Sequence, residues 1–497
     1  MSLKRISLTS LSVLALALGL VGTPFGNVLA VDSVKAPRPI PLTRPEMKEY
    51  LEDMKGRTLR IPLPELTDAD KEKLGERGSS YESLLRYHYT SQGDGQRGTA
   101  APGGQGRGEG RGAGGGGFGR DNDSDNSLDY AFKVQLFWIV SRTNNCQYCL
   151  GHQESKLLGA EMTEDEIAAL DGDWSEHKPE QRAAYTFARK FTYQPHLLND
   201  ADIDGLRKFY TDKQILEMIL SMAGNNSINR WKEGAGIPQS AGGGNFGNRR
   251  AGGEAATGTA ATETPARPAE TKQTYLTPTS PKFQSLISKV APVTMDPATG
   301  KPTHMTVANR PPLESRGEVE KGLAAARARK PRLPLADEAQ TKEVLPEGFP
   351  EGTPPQWTQL LATFPNSAKG RISSIRSAEE RGDLTPLMKA QIAWIIARQD
   401  RAWYATGLAL QSMKALGLSD DQIYKLDGDW SEFTPKERAL FTLARKLATT
   451  PVILTDADVA EAVKQAGPRD VVQTITYTTN RASFDRITES AGLRLEK

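Results

Sequence analysis

Two stretches of this chain repeat each other in register. Trp138-Ile139 recurs as Trp394-Ile395, and Leu170-Asp171-Gly172-Asp173-Trp174-Ser175-Glu176 recurs as Leu426-Asp427-Gly428-Asp429-Trp430-Ser431-Glu432, both at an offset of 256 residues. The same offset carries Ala188-Arg189-Lys190 onto Ala444-Arg445-Lys446, Asp200-Ala201-Asp202 onto Asp456-Ala457-Asp458, Pro195 onto Pro451 and Arg230 onto Arg486, with no gap. One structural plan is therefore built twice, and any fold proposed for the first copy must also suit the second. Upstream, Arg44, Glu46, Arg60 and Pro62-Leu63 match Arg316, Glu318, Arg332 and Pro334-Leu335 at an offset of 272. The first copy is thus 16 residues longer between Leu63 and Trp138, the interval that holds a glycine-rich stretch.

Within each copy the pattern is helical. Leu128, Phe132, Leu136 and Ile139 fall three to four residues apart, as do Leu384, Met388, Ile392 and Ile395, which predicts one buried or amphipathic helix in each copy. Thr163-Glu164-Asp165-Glu166 and Ser419-Asp420-Asp421-Gln422 read as capping boxes, and Pro179 and Pro435 stand where a first helical turn accepts proline. Tight Asn-Gly hairpin signals between alternating runs are absent. The expected class is all-α: two tandem helical bundles of about six helices each.

The 46 glycines and 31 prolines are clustered, so part of the chain lies outside any packed core. Residues 92–127 read as a glycine-rich loop inserted in a first domain spanning 33–238, residues 239–274 as a low-complexity linker, and 275–497 as the second domain. Asp121-Asn122-Asp123-Ser124-Asp125 opens like a calcium loop, but Asn126 and Phe132 stand where such a loop needs Gly and Glu. Residues 1–30 have the layout of a secretory signal: Lys4 and Arg5, an apolar run from Leu11 to Val21, and small residues ending at Ala30. That layout predicts export to a periplasmic or extracellular space, with no stable membrane insertion of the mature chain. With 63 Lys and Arg against 61 Asp and Glu, no overall attraction to nucleic acid is expected.

Cys146 and Cys149 are the only cysteines, in Asn144-Asn145-Cys146-Gln147-Tyr148-Cys149-Leu150-Gly151-His152. Three chemistries fit. A helix starting at the first cysteine would lower a thiol pKa and make a redox pair with His152 beside it. A metal would need a fourth ligand beyond the two thiols and His152, from His177, His196 or water. A structural disulfide would close too small a ring to restrain the unfolded chain much. A c-type haem site is excluded because Leu150, not His, follows Cys149.

The segment from Asn144 to His152, followed by Gly159-Ala160 and Thr163-Glu164-Asp165-Glu166-Ile167, resembles the carboxymuconolactone decarboxylase superfamily in its alkyl hydroperoxidase D-like branch. The match covers roughly residues 128 to 235, and Arg60-Ile61-Pro62-Leu63-Pro64 and Asn229-Arg230 look like the peroxidase-related subgroup. The resemblance implies an all-helical, symmetrically assembling protein that reduces a peroxide through the CxxC pair without cofactor or metal. Cys149 would be the attacking thiol, Cys146 its resolving partner, and an unidentified dithiol the reductant. The family's relay histidine, four residues after the second cysteine, falls on Gln153, with His152 one residue early. Its relay glutamate, twelve residues before the first cysteine, falls on Val134.

In the second copy Cys146, Cys149 and His152 become Ala402, Ala405 and Leu408, while Tyr148 and Gly151 persist as Tyr404 and Gly407. That degenerate copy is expected to supply within one chain the contact that the family's oligomers make between subunits, giving either an intrachain pseudo-dimer or a homo-oligomer. The leading expectation is an exported thiol-dependent peroxidase or disulfide oxidoreductase. The alternative is a noncatalytic scaffold with a structural CxxC. Lactone decarboxylation stands behind both, because the branch that performs it does not use a CxxC pair. Asp171, Asp173, Trp174, Arg142 and Arg398 recur in the cysteine-free copy or pair across the repeat, and so are expected to be architectural.

Overall fold

Helix start signals recur at the repeat offsets and are used in both places. The computed structural model describes residues 37–74, 80–90, 126–239, 278–306 and 312–496. Its first helices are α1 (Arg44–Asp53), α2 (Asp68–Leu74), α3 (Tyr81–Tyr89), α4 (Tyr130–Asn144), α5 (Gln147–Gly159), α6 (Glu164–Ala169), α7 (Pro179–Tyr193), α8 (Asp200–Arg207) and α9 (Asp212–Ala235). After α10 (Pro281–Gln284) come strands β1 (Val293–Met295) and β2 (Pro302–Thr306), then α11 (Arg316–Ala328), α12 (Glu338–Val344), α13 (Gln356–Ala362) and α14 (Pro365–Glu380). The last set is α15 (Pro386–Asp400), α16 (Trp403–Ala415), α17 (Asp420–Tyr424), α18 (Pro435–Ala448) and α19 (Asp456–Ser490). Among the described residues the fold is all-α, apart from one two-stranded antiparallel sheet.

Helices α4, α5 and α7 recur as α15, α16 and α18, each starting 256 residues later. Backbone exceptions recur too: Asn145 and Arg401 have φ of 59° and 53°, and Trp174 and Trp430 both have φ of 62°. Helices α8 and α9 recur as α19, which is broken at Gly467 (φ 81°) ahead of Pro468. The conserved turn is held by its own side chains. The Trp174 indole N–H donates to the Leu170 carbonyl at 2.9 Å and that of Trp430 to the Leu426 carbonyl at 2.8 Å. Asp171 and Asp427 each accept an indole N–H, from Trp138 and Trp394, and an arginine, Arg142 and Arg398. These residues are architectural, as expected.

The described residues form one compact unit, with α9 and α19 packed side by side at its centre. Contacts across this seam are reciprocal. Arg230 donates to the Leu447 and Thr449 carbonyls at the end of α18, at 2.7 and 2.6 Å, and Arg486 donates to the Thr192 carbonyl at the end of α7, at 3.1 Å. Arg60 pairs with Asp456, while its repeat equivalent Arg332 pairs with Asp200 at 2.9 Å. Equivalent patches thus touch each other, as in a two-fold subunit interface. At Gly234 an added Cβ would lie 2.9 Å from the Ile475 side chain, so the missing side chain permits the close approach of α9 to α19.

The structure departs from expectation in two respects. A hairpin exists, because its connection is a loop of several residues rather than Asn-Gly: the Asp296 carboxylate accepts the Ala298 amide at 2.8 Å and Gly300 takes φ of 63°. Among the described residues the first copy holds nine helices rather than about six, because α1, α2 and α3 precede the Leu128-to-Ile139 run at which the helical pattern begins. Among the described residues no helix is long and apolar enough to cross a membrane. The expected signal segment, nearly all of the glycine-rich loop and nearly all of the linker lie outside the described residues.

Candidate functional site

The dithiol sits at a helix junction. α4 ends at Asn144, Asn145 reverses the chain in the left-handed conformation, and Cys146 stands extended (φ −87°, ψ 90°) as the N-cap of α5. The Cys146 N–H donates to the Ser141 carbonyl at 2.9 Å, and its own carbonyl accepts the Leu150 N–H at 3.0 Å, which fixes the turn from both sides. Cys149 lies in the first turn of α5 and is disulfide-bonded to Cys146, with Cα atoms 5.3 Å apart. Cys146 is fully buried and Cys149 is 3% exposed. No side chain caps the N-terminus of α5. Both cysteines thus lie at the positive end of the α5 dipole, an arrangement that stabilises a thiolate once the pair is reduced.

Around the sulfurs the relay positions of the resembled family are occupied by groups that do not titrate. Gln153 accepts from the Ser141 hydroxyl at 3.3 Å and donates to Asn225 at 3.1 Å, and Asn225 donates to the Phe137 carbonyl at 3.2 Å. Asn144 donates to Asn226 and Asn229 at 2.9 and 3.2 Å. This buried amide network holds α4, α5 and α9 together and leaves Gln153 no role as a base. Val134 is buried in the core of α4. His152 packs its ring against Tyr148, with centroids 4.6 Å apart. The Tyr148 ring also receives the Lys232 ammonium, 4.4 Å from its centre, and Lys232 is paired with Glu82 on α3. Burial pushes the Tyr148 phenol above its ordinary range. His177 meets the Tyr185 ring edge at 5.4 Å, and burial lowers its pKa. Among the described residues no group of three or more His, Cys, Asp or Glu is placed to hold a metal.

Two charged clusters escaped the sequence reading. The first joins α1 to α5 and α6: Arg44 reaches Glu164 at 2.8 Å and Glu154 at 3.3 Å, while Lys48 pairs with Glu154 and lies 3.2 Å from Glu164. All four are buried. Burial first, and Arg44 second, bring Lys48 down to about 8, against the pull of Glu164. The second copy has Leu410 for Glu154 and Glu320 for Lys48, so this cluster belongs to the cysteine half alone. The second cluster is Glu233, at the C-terminal end of α9, with Arg38 and Arg57, each 3.8 Å from its carboxylate. Comparing the copies would have flagged it, since Arg57 and Glu233 match Arg329 and Glu489 at the two repeat offsets.

No protein-family model matches the chain, and no curated protein matches it. The functional reading therefore stands on the junction itself.

Proposed function

We propose that the protein is an exported thiol-dependent peroxidase or disulfide oxidoreductase that works through Cys146 and Cys149. The observation that carries this reading is a bonded CxxC pair at the uncapped N-terminus of α5, in one copy only. The second copy keeps the same backbone at Ala402 (φ −87°, ψ 88°) without the sulfurs. A pair needed only to hold the turn would be needed in both copies. In the reduced protein the Cys149 thiolate attacks a hydroperoxide oxygen; the O–O bond breaks, an alcohol leaves, and Cys149 becomes a sulfenic acid. Cys146 then displaces water from it to form the disulfide, and an external dithiol reopens the bond. This follows the resemblance to the alkyl hydroperoxidase D-like branch. Because Gln153 and Val134 replace the relay, turnover should be slower by about two orders of magnitude per lost base. The reciprocal seam supports reading the second copy as the built-in counterpart of a subunit.

The test is consumption of a hydroperoxide by the pre-reduced protein with a dithiol donor. C149S should abolish it, and C146S should leave a sulfenic acid that a dimedone-type reagent captures. Absence of hydroperoxide consumption by the wild type with every dithiol tried would sink the proposal. The burial of both sulfurs favours a second reading, a structural disulfide in a noncatalytic scaffold, which predicts that the bond opens only when the protein unfolds.

A further inference from the structure

The two copies set one pair of residues differently. In the cysteine-free copy the pair is closed: Arg329 grips Glu489 with two hydrogen bonds at 2.9 and 3.0 Å, and Glu489 also accepts the Tyr404 N–H in the first turn of α16, at 3.3 Å. In the cysteine copy it is open. Arg57 stays 3.8 Å from Glu233, beyond hydrogen-bond reach. All three Arg57 nitrogens and Glu233 Oε1 are buried without a hydrogen-bond partner among the described residues, although the two side chains are only 7% and 11% exposed. Leaving such groups unsatisfied is costly, and chains rarely do so without a functional reason.

Chain neighbours of Glu233 touch residues on either side of Cys149. Lys232 lies over the Tyr148 ring, and the Gln239 side chain packs so tightly on Gly151 that a Cβ there would be 2.5 Å from its Nε2. Tyr148 and Gly151 are on either side of Cys149 along α5. The chain enters α5 and α16 with the same backbone angles, so the Tyr404 amide held by Glu489 is the repeat equivalent of the Tyr148 amide, one residue before Cys149, and marks the position Glu233 reaches if it closes in the same way. This is where the relay that Val134 and Gln153 cannot provide would have to act.

We propose that Glu233 carries the proton of the Cys146–Cys149 dithiol, with Arg57 as the counter-charge that receives Glu233 when it ionises. The inference rests on the redox reading of the cysteines but not on the identity of the oxidant. An incoming dithiol, as its thiolate, attacks Cys146 Sγ; the S–S bond breaks and Cys149 leaves as a thiolate. Glu233 gives that thiolate its proton, and the new carboxylate closes onto Arg57, as Glu489 is closed onto Arg329. In the reverse direction the carboxylate takes the Cys149 proton and restores the attacking thiolate. Burial pushes the Glu233 carboxyl upward from its ordinary range, against Arg38 and Arg60, with Asp456 adding to the rise. Of the other titratable groups nearby, Tyr50 is pushed up to about 12 by burial and stays protonated, Lys232 is paired with Glu82, and His152 packs on Tyr148.

The test follows thiolate absorbance against pH in the reduced full-length protein, for wild type, E233Q, E233D and E489Q, together with the rate at which dithiothreitol reopens the disulfide. In a C146S background Cys149 is the one absorbing thiol and should titrate in two coupled steps with Glu233 present and in one with E233Q, and in the intact dithiol E233Q should slow reopening at neutral pH about tenfold or more. E233D should keep both steps, and E489Q should match wild type. An E233Q titration and rate equal to wild type overturn the proposal, as does an E489Q effect as large as that of E233Q, which would mark a structural role. Loss of the second step in E233Q, in a protein that leaves hydroperoxide untouched, would retire the peroxidase reading and keep this one. A disulfide that opens only on unfolding overturns both.

Discussion

Replacing Asp171 with Ala should cost far more than the same change at its repeat equivalent, Asp427. Asp171 accepts the Trp138 indole at 3.3 Å and lies 3.1 Å from Arg142 Nε. Arg142 is fully buried, and its Nη1 and Nη2 have no hydrogen-bond partner among the described residues, so D171A strands its charge. An unpaired buried charge costs about 3–5 kcal/mol. The orphaned indole N–H adds about 1 kcal/mol. Asp427 makes the same contacts, with Trp394 at 2.8 Å and Arg398 at 3.1 Å. Arg398, however, also holds the Glu314 carboxylate at 2.7 Å and its carbonyl at 2.8 Å, so D427A leaves the guanidinium compensated. It should lose only one charge-assisted hydrogen bond and one indole bond, about 2–3 kcal/mol. Urea unfolding read in parallel by tryptophan fluorescence and circular dichroism gives both values and checks that the transition is shared. Equal losses, or a larger loss in D427A, would refute the reasoning.

The depressed Lys48 gives a pH dependence. Its folded pKa of about 8 lies below the ordinary lysine value of 10.5, so the unfolded chain binds the proton more tightly and stability should rise with pH between those values. The rise amounts to at most about 3 kcal/mol, and urea midpoints across that range should show it in wild type and not in K48M. At the seam, G234A would bring a Cβ within 2.9 Å of Ile475 and 3.2 Å of Leu447, and calorimetry or urea unfolding should show a loss of about 1–3 kcal/mol. Because the backbone at Ala402 matches that at Cys146, A402C/A405C in one chain should form a second disulfide, seen as no free thiols in the oxidised protein. With Glu489 locked by Arg329, that disulfide should reopen more slowly with dithiothreitol than Cys146–Cys149.

Much of the architecture was legible because the repeated identities fall on turns and caps. Leu170 to Glu176 recur because a tryptophan at φ 62° must close the turn onto its own backbone, and few sequences allow that. Thr163 and Ser419 begin helices for the local reason that a hydroxyl and an acid or amide side chain satisfy each other's amides. The junction at Cys146 was legible for the same reason. Interactions among charges from distant segments were not. Arg44, Lys48, Glu154 and Glu164 come from three helices, and nothing in the periodicity of any one of them says that the four meet. Glu233 sits in α9 among residues that are buried on every side, where no amphipathic stripe singles it out. The recurrence of Arg57 and Glu233 as Arg329 and Glu489 could have been read from the two copies, but that the pair is open at Arg57 and closed at Arg329 only geometry reveals.

The most direct measurement is a redox cycle on the folded protein. Dithiothreitol should open Cys146–Cys149 while circular dichroism stays native, and one equivalent of hydroperoxide should then restore the disulfide with the loss of two thiols. Thiols that appear only as the helices melt, or that persist in the reduced native protein under excess hydroperoxide, would contradict a peroxide-reducing dithiol at this junction.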